Sequence, residues 1–143
     1  MKRLLHLSLA LLGGGLALLV AAVAWHNWGD LLTSPASVPP LAATPATLER
    51  GAYLVRAGNC MACHTARGGA PLAGGRAIDT PFGAVYSSNL TPDDTTGLGQ
   101  WNAQDFWRAL HHGRSRGGRL LAPAFPYEHT SVITREDSDA MWA

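Results

Sequence analysis

The chain has 143 residues and carries 11 basic and 10 acidic side chains, a net charge of +1. That balance gives no electrostatic footprint of a nucleic-acid binder, and with only two cysteines a structural zinc site would lack ligands. Apolar residues make up 47% of the chain, but many lie in the first 25; the remainder, rich in glycine and proline, would bury only a modest core by itself.

Met1-Lys2-Arg3 is a short basic start, and Leu4 to Trp25 is almost wholly apolar, broken by His6, Ser8 and Gly13-Gly14-Gly15. At about 1.5 Å per residue this stretch is long enough for the ~30 Å hydrocarbon core of a bilayer. A secretory apolar core is shorter, ~7–15 residues. Residues 1–28 are therefore read as a membrane anchor that is retained. Ala22-Val23-Ala24 has the small-x-small form of a cleavage site, so a removable signal segment is the alternative. Trp25 and Trp28 fall where interfacial aromatics lie. Lys2 and Arg3 would hold the N-terminus in the cytoplasm, placing the rest in a periplasm-like space beside the inner membrane. Thr33 to Pro45 holds four prolines, and residues 29–45 read as a semi-stiff linker.

Residues 46–143 form the expected globular part. Leu48, Gly51, Ala52 and Val55 recur at helical spacing, which predicts a helix over 46–57 stopped by Gly58-Asn59. Gly51 weakens that helix and implies a closely packed neighbour.

Cys60-Met61-Ala62-Cys63-His64 follows. Two thiols about one helical turn apart can point at one edge of a flat macrocycle, and the adjacent histidine can reach beneath it to ligate iron. The pattern reads as a c-type haem attachment site: Cys60 and Cys63 for the thioether bonds, His64 for the iron. A thioredoxin-like couple would need a strand before and a helix after the motif, whereas turn residues flank it here. A plain disulfide would leave His64 unexplained.

From Arg67 to Thr96 periodicity fades among glycines and prolines, and this long loop is expected to wrap around a ligand. Asn102 to Gly113 is the clearest helix: Asn102 caps it, Asp105 completes a capping-box variant, Ala103, Phe106, Trp107 and Leu110 form an apolar stripe, and Gly113 ends it. Arg114, Arg116 and Arg119 follow, either as a solvated loop or as contacts for haem propionates or an acidic partner. Leu121 to Tyr127 is an extended apolar loop. Thr134 to Asp137 opens a last helix with a capping box, whose apolar face begins with Ala140, Met141 and Trp142; a helix that ends so soon, at Ala143, reads as a truncated one.

Arg50 to Leu54, Cys60 to Thr65, Ala73-Gly74-Gly75, Thr80 to Gly83, Asn89 to Asp93, Thr96 to Trp101 and Pro123 to Tyr127 stand in an order that resembles the membrane-anchored cytochrome c subunits of bacterial periplasmic dehydrogenases for alcohol, gluconate, aldehyde or nicotinate-type substrates. The resemblance covers Leu48 to Ala143. It implies an all-α, class I cytochrome c fold around one haem c, with Cys60 and Cys63 covalently bound and His64 as the proximal ligand. It also implies that the terminal helices cross at Gly51, and that the aromatic usually packed there would come just after Ala143, as in the first domain of a longer multi-haem chain. The implied partners are a dehydrogenase catalytic subunit as donor and a quinone, terminal oxidase or another cytochrome as acceptor.

One position departs from that pattern. Many such cytochromes carry a methionine ligand where this chain has Phe125, which cannot ligate iron. His112 and Met141 are the weak candidates for a sixth ligand. Met141 matches a core leucine, Met61 lies on the wrong side of the motif, and His111 and His129 complete the set. The iron could instead be five-coordinate or take a ligand from beyond Ala143. Electron transfer is the expected function, with no catalytic site of its own, since no Ser-His-Asp set, carboxylate pair or phosphate loop is present. A five-coordinate haem that binds or reduces a small ligand is the alternative, and a thiol-disulfide or zinc module the third possibility. Trp101 and Trp107 are expected to pack the pocket.

Overall fold

The computed structural model describes residues 2–33, 42–122, 124 and 127–143. The chain divides into two compact units, Met1–Ser37 and Val38–Ala143.

The first unit is one helix, α1 (Lys2–Thr33). Its 32 residues make it about 48 Å long at about 1.5 Å per residue, and the span Lys2–Gly29 is long and apolar enough to cross a membrane. Its leucines and valines from Leu4 to Val23 are exposed. Two polar side chains of this helix are satisfied within it: Ser8 Oγ donates to the Leu4 carbonyl at 3.0 Å and Asn27 Nδ2 to the Val23 carbonyl at 2.7 Å. The helix continues five residues past Trp28. Most of the proline-rich stretch, residues 34–41, lies outside the described residues.

The second unit is mostly helical: α2 (Pro45–Ala57), α3 (Cys60–His64), β1 (Ala77–Thr80), β2 (Gly83–Tyr86), α4 (Ala103–His112), α5 (Tyr127–Thr130) and α6 (Arg135–Trp142). The helix expected over 46–57 is α2, with Thr44 as its cap and Pro45 in its first turn. It stops at Gly58-Asn59, as expected. Gly58 keeps a right-handed backbone, φ −74°, and Asn59 takes the left-handed turn, φ 53°. Asparagine tolerates that conformation better than other side chains.

Gly51 is buried where α2 crosses α6. A Cβ built there would lie 2.6 Å from the Ala140 carbonyl carbon, so only glycine lets the two backbones approach. Beside that crossing, Arg50 Nε and Nη2 donate to the two Asp137 carboxylate oxygens at 2.9 and 3.1 Å. Thr134 caps α6 by accepting from the Asp137 amide at 3.2 Å, while the Asp137 carboxylate serves Arg50.

α4 forms as expected, with both halves of the Asn102–Asp105 capping box and a left-handed Gly113, φ 58°. Its buried face is not the predicted stripe. Ala103, Ala109 and Leu110 are buried, but so are Asp105 and Arg108, while Phe106 and Trp107 are half-buried. Asp105 is drawn in because its carboxylate caps the Asn102 amide and lies 3.9 Å from Arg108 and 3.8 Å from Arg116. Phe106 meets the Trp142 ring at 5.7 Å, and Gln104 bonds Arg135, so α4 is tied to α6 at both points.

A further difference lies between Arg67 and Thr96: within a mostly helical unit, the stretch expected as loop contains a two-stranded antiparallel hairpin pairing Ala77 with Tyr86 and Thr80 with Gly83. Pro81 and Phe82 make its two-residue turn. Thr80 Oγ1 holds that turn by donating to the Gly83 carbonyl at 2.6 Å and accepting from the Phe82 amide at 3.2 Å. The strands are four residues each. Such strands are too short to show as an alternating pattern, and proline with glycine at the turn reads locally as loop.

Candidate cofactor site at Cys60, Cys63 and His64

α3 is a single turn, entered through the left-handed Asn59. At about 100° per residue that turn places Cys60, Cys63 and His64 on one side and Met61 and Ala62 on the other. Cys60 is half-buried and Cys63 exposed, and both are free thiols. Burial pushes the Cys60 thiol above its ordinary pKa; its own backbone hydrogen bond opposes this and the Cys63 charge adds to it. A redox couple needs the opposite shift in its attacking cysteine, so the thiol-disulfide reading loses support.

His64 is held at both ends. Its carbonyl accepts from the Gly74 amide at 2.7 Å, and the Gly74 carbonyl accepts from Ala66 at 3.2 Å. Its Nδ1 stands 2.8 Å from the Ser88 carbonyl oxygen. A carbonyl can only accept, so Nδ1 carries the proton and donates, which leaves the Nε2 lone pair for a metal. A backbone carbonyl on the far nitrogen is the usual support of a metal-ligating histidine.

The hairpin delivers Ser88. Below its strands, Ser87 donates to the Arg76 carbonyl at 3.0 Å and Gly75 to the Ser87 carbonyl at 2.8 Å. Gly74, φ 72°, then passes so close to Ser88 that a Cβ on it would lie 2.5 Å from the Ser88 carbonyl carbon. Ser88 is a site residue the sequence does not single out; the glycine pair Gly74-Gly75, followed by an extended run, is the one signal that could have pointed to it.

The segment after the hairpin closes largely on itself. Asp93 Oδ1 accepts from the Thr96 amide at 2.6 Å, the Thr96 hydroxyl at 2.9 Å and the Thr95 amide at 3.1 Å. These bonds, the Thr96 amide first, hold the Asp93 carboxyl below the usual carboxylate range. Asn89 accepts from the Thr91 amide at 2.8 Å and donates to Thr96 Oγ1 at 2.9 Å. The loop thus has a framework of side-chain and backbone bonds that composition alone does not reveal.

The other predicted residues are dispersed. His111 stacks on Trp107, ring centroids 3.3 Å apart, and its two nitrogens face the Trp107 and Ile133 carbonyls at 3.2 and 2.9 Å. It is thereby a link from α4 to the approach of α6, with both ring nitrogens turned toward backbone carbonyls and one of them donating. His112 and His129 are exposed, and Met141 is half-buried on α6. Trp107 also lies under the Arg135 guanidinium at 5.5 Å. Phe125 lies outside the described residues, as do Pro123 and Pro126. Of the three loop arginines, Arg114 is buried and donates to the Gly118 carbonyl at 3.0 Å, Arg116 lies near Asp105, and Arg119 is exposed.

The donor set fits a haem. Two thiols share one face with an imidazole whose Nε2 is available. In the same unit Leu54, Val55, Leu72, Leu90, Leu98 and Trp101 are only half-buried, apolar surface of the kind that suits a flat apolar ring. Among the described residues no group of three or more His, Cys, Asp or Glu could hold a bare metal ion.

No protein-family model matches the chain. The gluconate 2-dehydrogenase cytochrome c subunit of Pantoea cypripedii is 48% identical over 101 residues, 71% of this chain and 23% of that protein. A nicotinate dehydrogenase subunit of Pseudomonas putida is 43% identical over 132 residues, 92% of this chain and 11% of its own length. The cytochrome c subunit of the quinone-dependent alcohol dehydrogenase of Gluconacetobacter polyoxogenes is 45% identical over 107 residues, 72% and 23%. The chain is homologous to proteins named as cytochrome subunits of gluconate, alcohol and fructose dehydrogenases and to a subunit of a nicotinate dehydrogenase, at 42–48% identity over much of its length. It spans less than a quarter of the length of these first relatives.

Proposed function

We propose, from this kinship and from the geometry at His64, that residues 46–143 are a class I cytochrome c domain carrying one haem c. Cys60 and Cys63 form the thioether bonds, and His64 Nε2 ligates the iron. When bound, the haem supplies a one-electron couple. The protein's part is to orient the imidazole through the Ser88 carbonyl and to surround the ring with half-buried aliphatic and tryptophan side chains. The domain receives electrons from a dehydrogenase catalytic subunit and passes them to a quinone, a terminal oxidase or another cytochrome. α1 anchors it in the inner membrane, with residues 46–143 in the periplasm. The observation that carries this reading is the 2.8 Å contact from His64 Nδ1 to the Ser88 carbonyl.

The test is expression of the full chain with a haem-maturation system, followed by a pyridine haemochrome spectrum and acidified-acetone extraction. Pigment that stays with the polypeptide, and no longer does so in the double variant C60A/C63A, supports the reading. Colourless protein refutes it.

A second reading, a five-coordinate iron open to a small ligand, draws on His111: both its nitrogens already face carbonyls, and Phe125 stands where a methionine ligand would be. Carbon monoxide added to the reduced protein separates the two, since only an open site shifts the Soret band at once.

A further inference from the structure

A cleft of about 630 Å³ opens on the outer wall of the attachment turn, lined by Met61, Ala62, Thr65, Arg67, Arg76 and Ala77 among others. Met61 and Ala62 are the two positions between the cysteines, so the cleft lies on the side of α3 opposite Cys60, Cys63 and His64. It is therefore not the cofactor's own site, yet it is one covalent segment away from it.

Its charge is one-sided. Between Glu49 and Asp79 the chain has no acidic residue and four arginines: Arg50, Arg56, Arg67 and Arg76. Arg50 is paired with Asp137, and the other ion pairs join Asp105 to Arg108 and Arg116, and Asp139 to Arg135. Arg67 and Arg76 are exposed and have no acidic partner among the described residues. Both line this one cleft, with the partly exposed Met61 beside them. In a chain of net charge +1 this is a local concentration of unpaired positive charge around an apolar floor.

We propose that this cleft is the docking face for an acidic redox protein, whose carboxylates meet Arg67 and Arg76 while an apolar side chain rests on Met61. The binding needs only the cleft; its redox meaning rests on the haem reading above. Two arginines apart in sequence, set around an apolar floor, suit a protein surface better than a lipid headgroup layer, which is met by longer basic clusters. Opposed charge at such a rim steers encounter and fixes orientation.

The experiment uses the matured full chain in phosphatidylcholine nanodiscs, titrated calorimetrically with poly-L-glutamate and separately with soluble dihexanoyl phosphatidylglycerol. The expected result is salt-sensitive binding of polyglutamate that weakens about tenfold in R67E/R76E, in line with charge-steered interfaces. The single variants R67Q and R76Q each give a smaller loss, which guards against misfolding of the double variant. Equal binding by wild type and R67E/R76E overturns the proposal, as does tighter binding of the phospholipid through the same two arginines. A pyridine haemochrome spectrum is taken on each sample: absence of the band with binding intact overturns the haem reading and the redox role of the cleft, while a normal band with no arginine dependence overturns the docking face alone.

Discussion

The Ser88 carbonyl oxygen lies 2.8 Å from Nδ1 of His64, 24 residues earlier in the chain. That contact fixes the tautomer of the imidazole and depends on Gly74, whose left-handed backbone packs against the Ser88 peptide. Gly74→Ala puts a Cβ into that peptide and strains φ, an expected loss of about 1–3 kcal/mol. The Ser88 carbonyl must then move away, which makes the His64 ring a poorer electron donor. Redox titration of the matured variant should show a raised midpoint potential beside the lowered stability. An unchanged potential would mean that the Ser88 contact does not tune the site.

Gly51 makes the opposite case to ordinary helix propensity. By propensity alone Gly51→Ala should stabilise α2 by up to about 1 kcal/mol. Because the added carbon would run into the Ala140 carbonyl, the expected outcome is a net loss of about 1–3 kcal/mol from overpacking. Thermal unfolding followed by circular dichroism would read this as a Tm lowered by several degrees. A higher Tm would show that α2 and α6 can separate at no cost.

Asp93 predicts an acid-sensitive loop. Its folded pKa is depressed, so its contribution is present above the ordinary carboxylate value near pH 4 and lost as pH falls through the folded value. Amide exchange at Thr95 and Thr96, taken relative to the intrinsic rate at each pH, should therefore become faster on the acid side of about pH 4. Asp93→Asn should show that faster exchange already at neutral pH.

His111 behaves as a base that resists protonation. Burial lowers its pKa most strongly, with His112 and Arg135 adding repulsion, while the Trp107 and Ile133 carbonyls pull the other way. The unfolded chain then takes up this proton at higher pH than the folded one does. Stability should rise with pH across the window from the depressed value up to the ordinary one near 6.5, and fall below it. An NMR titration of the His111 ring with a midpoint at or above the ordinary histidine value would contradict this.

What the sequence determined by itself is what neighbours along the chain decide. Cys60, Cys63 and His64 share a face because one helical turn puts them there. Thr44, Asn102 and Thr134 cap helices through bonds to residues three positions on. The apolar run of α1 is legible for the same reason, since length and composition suffice. The tertiary structure decided what depends on residues far apart. Ser88 meets His64 only because a hairpin of two short strands folds the chain back, and Asp105 and Arg108 are buried only because the loop bearing Ser115 and Arg116 returns to them. Gly51 stands between: its weakness in a helix announced a close neighbour, but only folding could name Ala140. Local bonds recur wherever their few residues recur, whereas a contact across 24 positions requires every turn between to be set first.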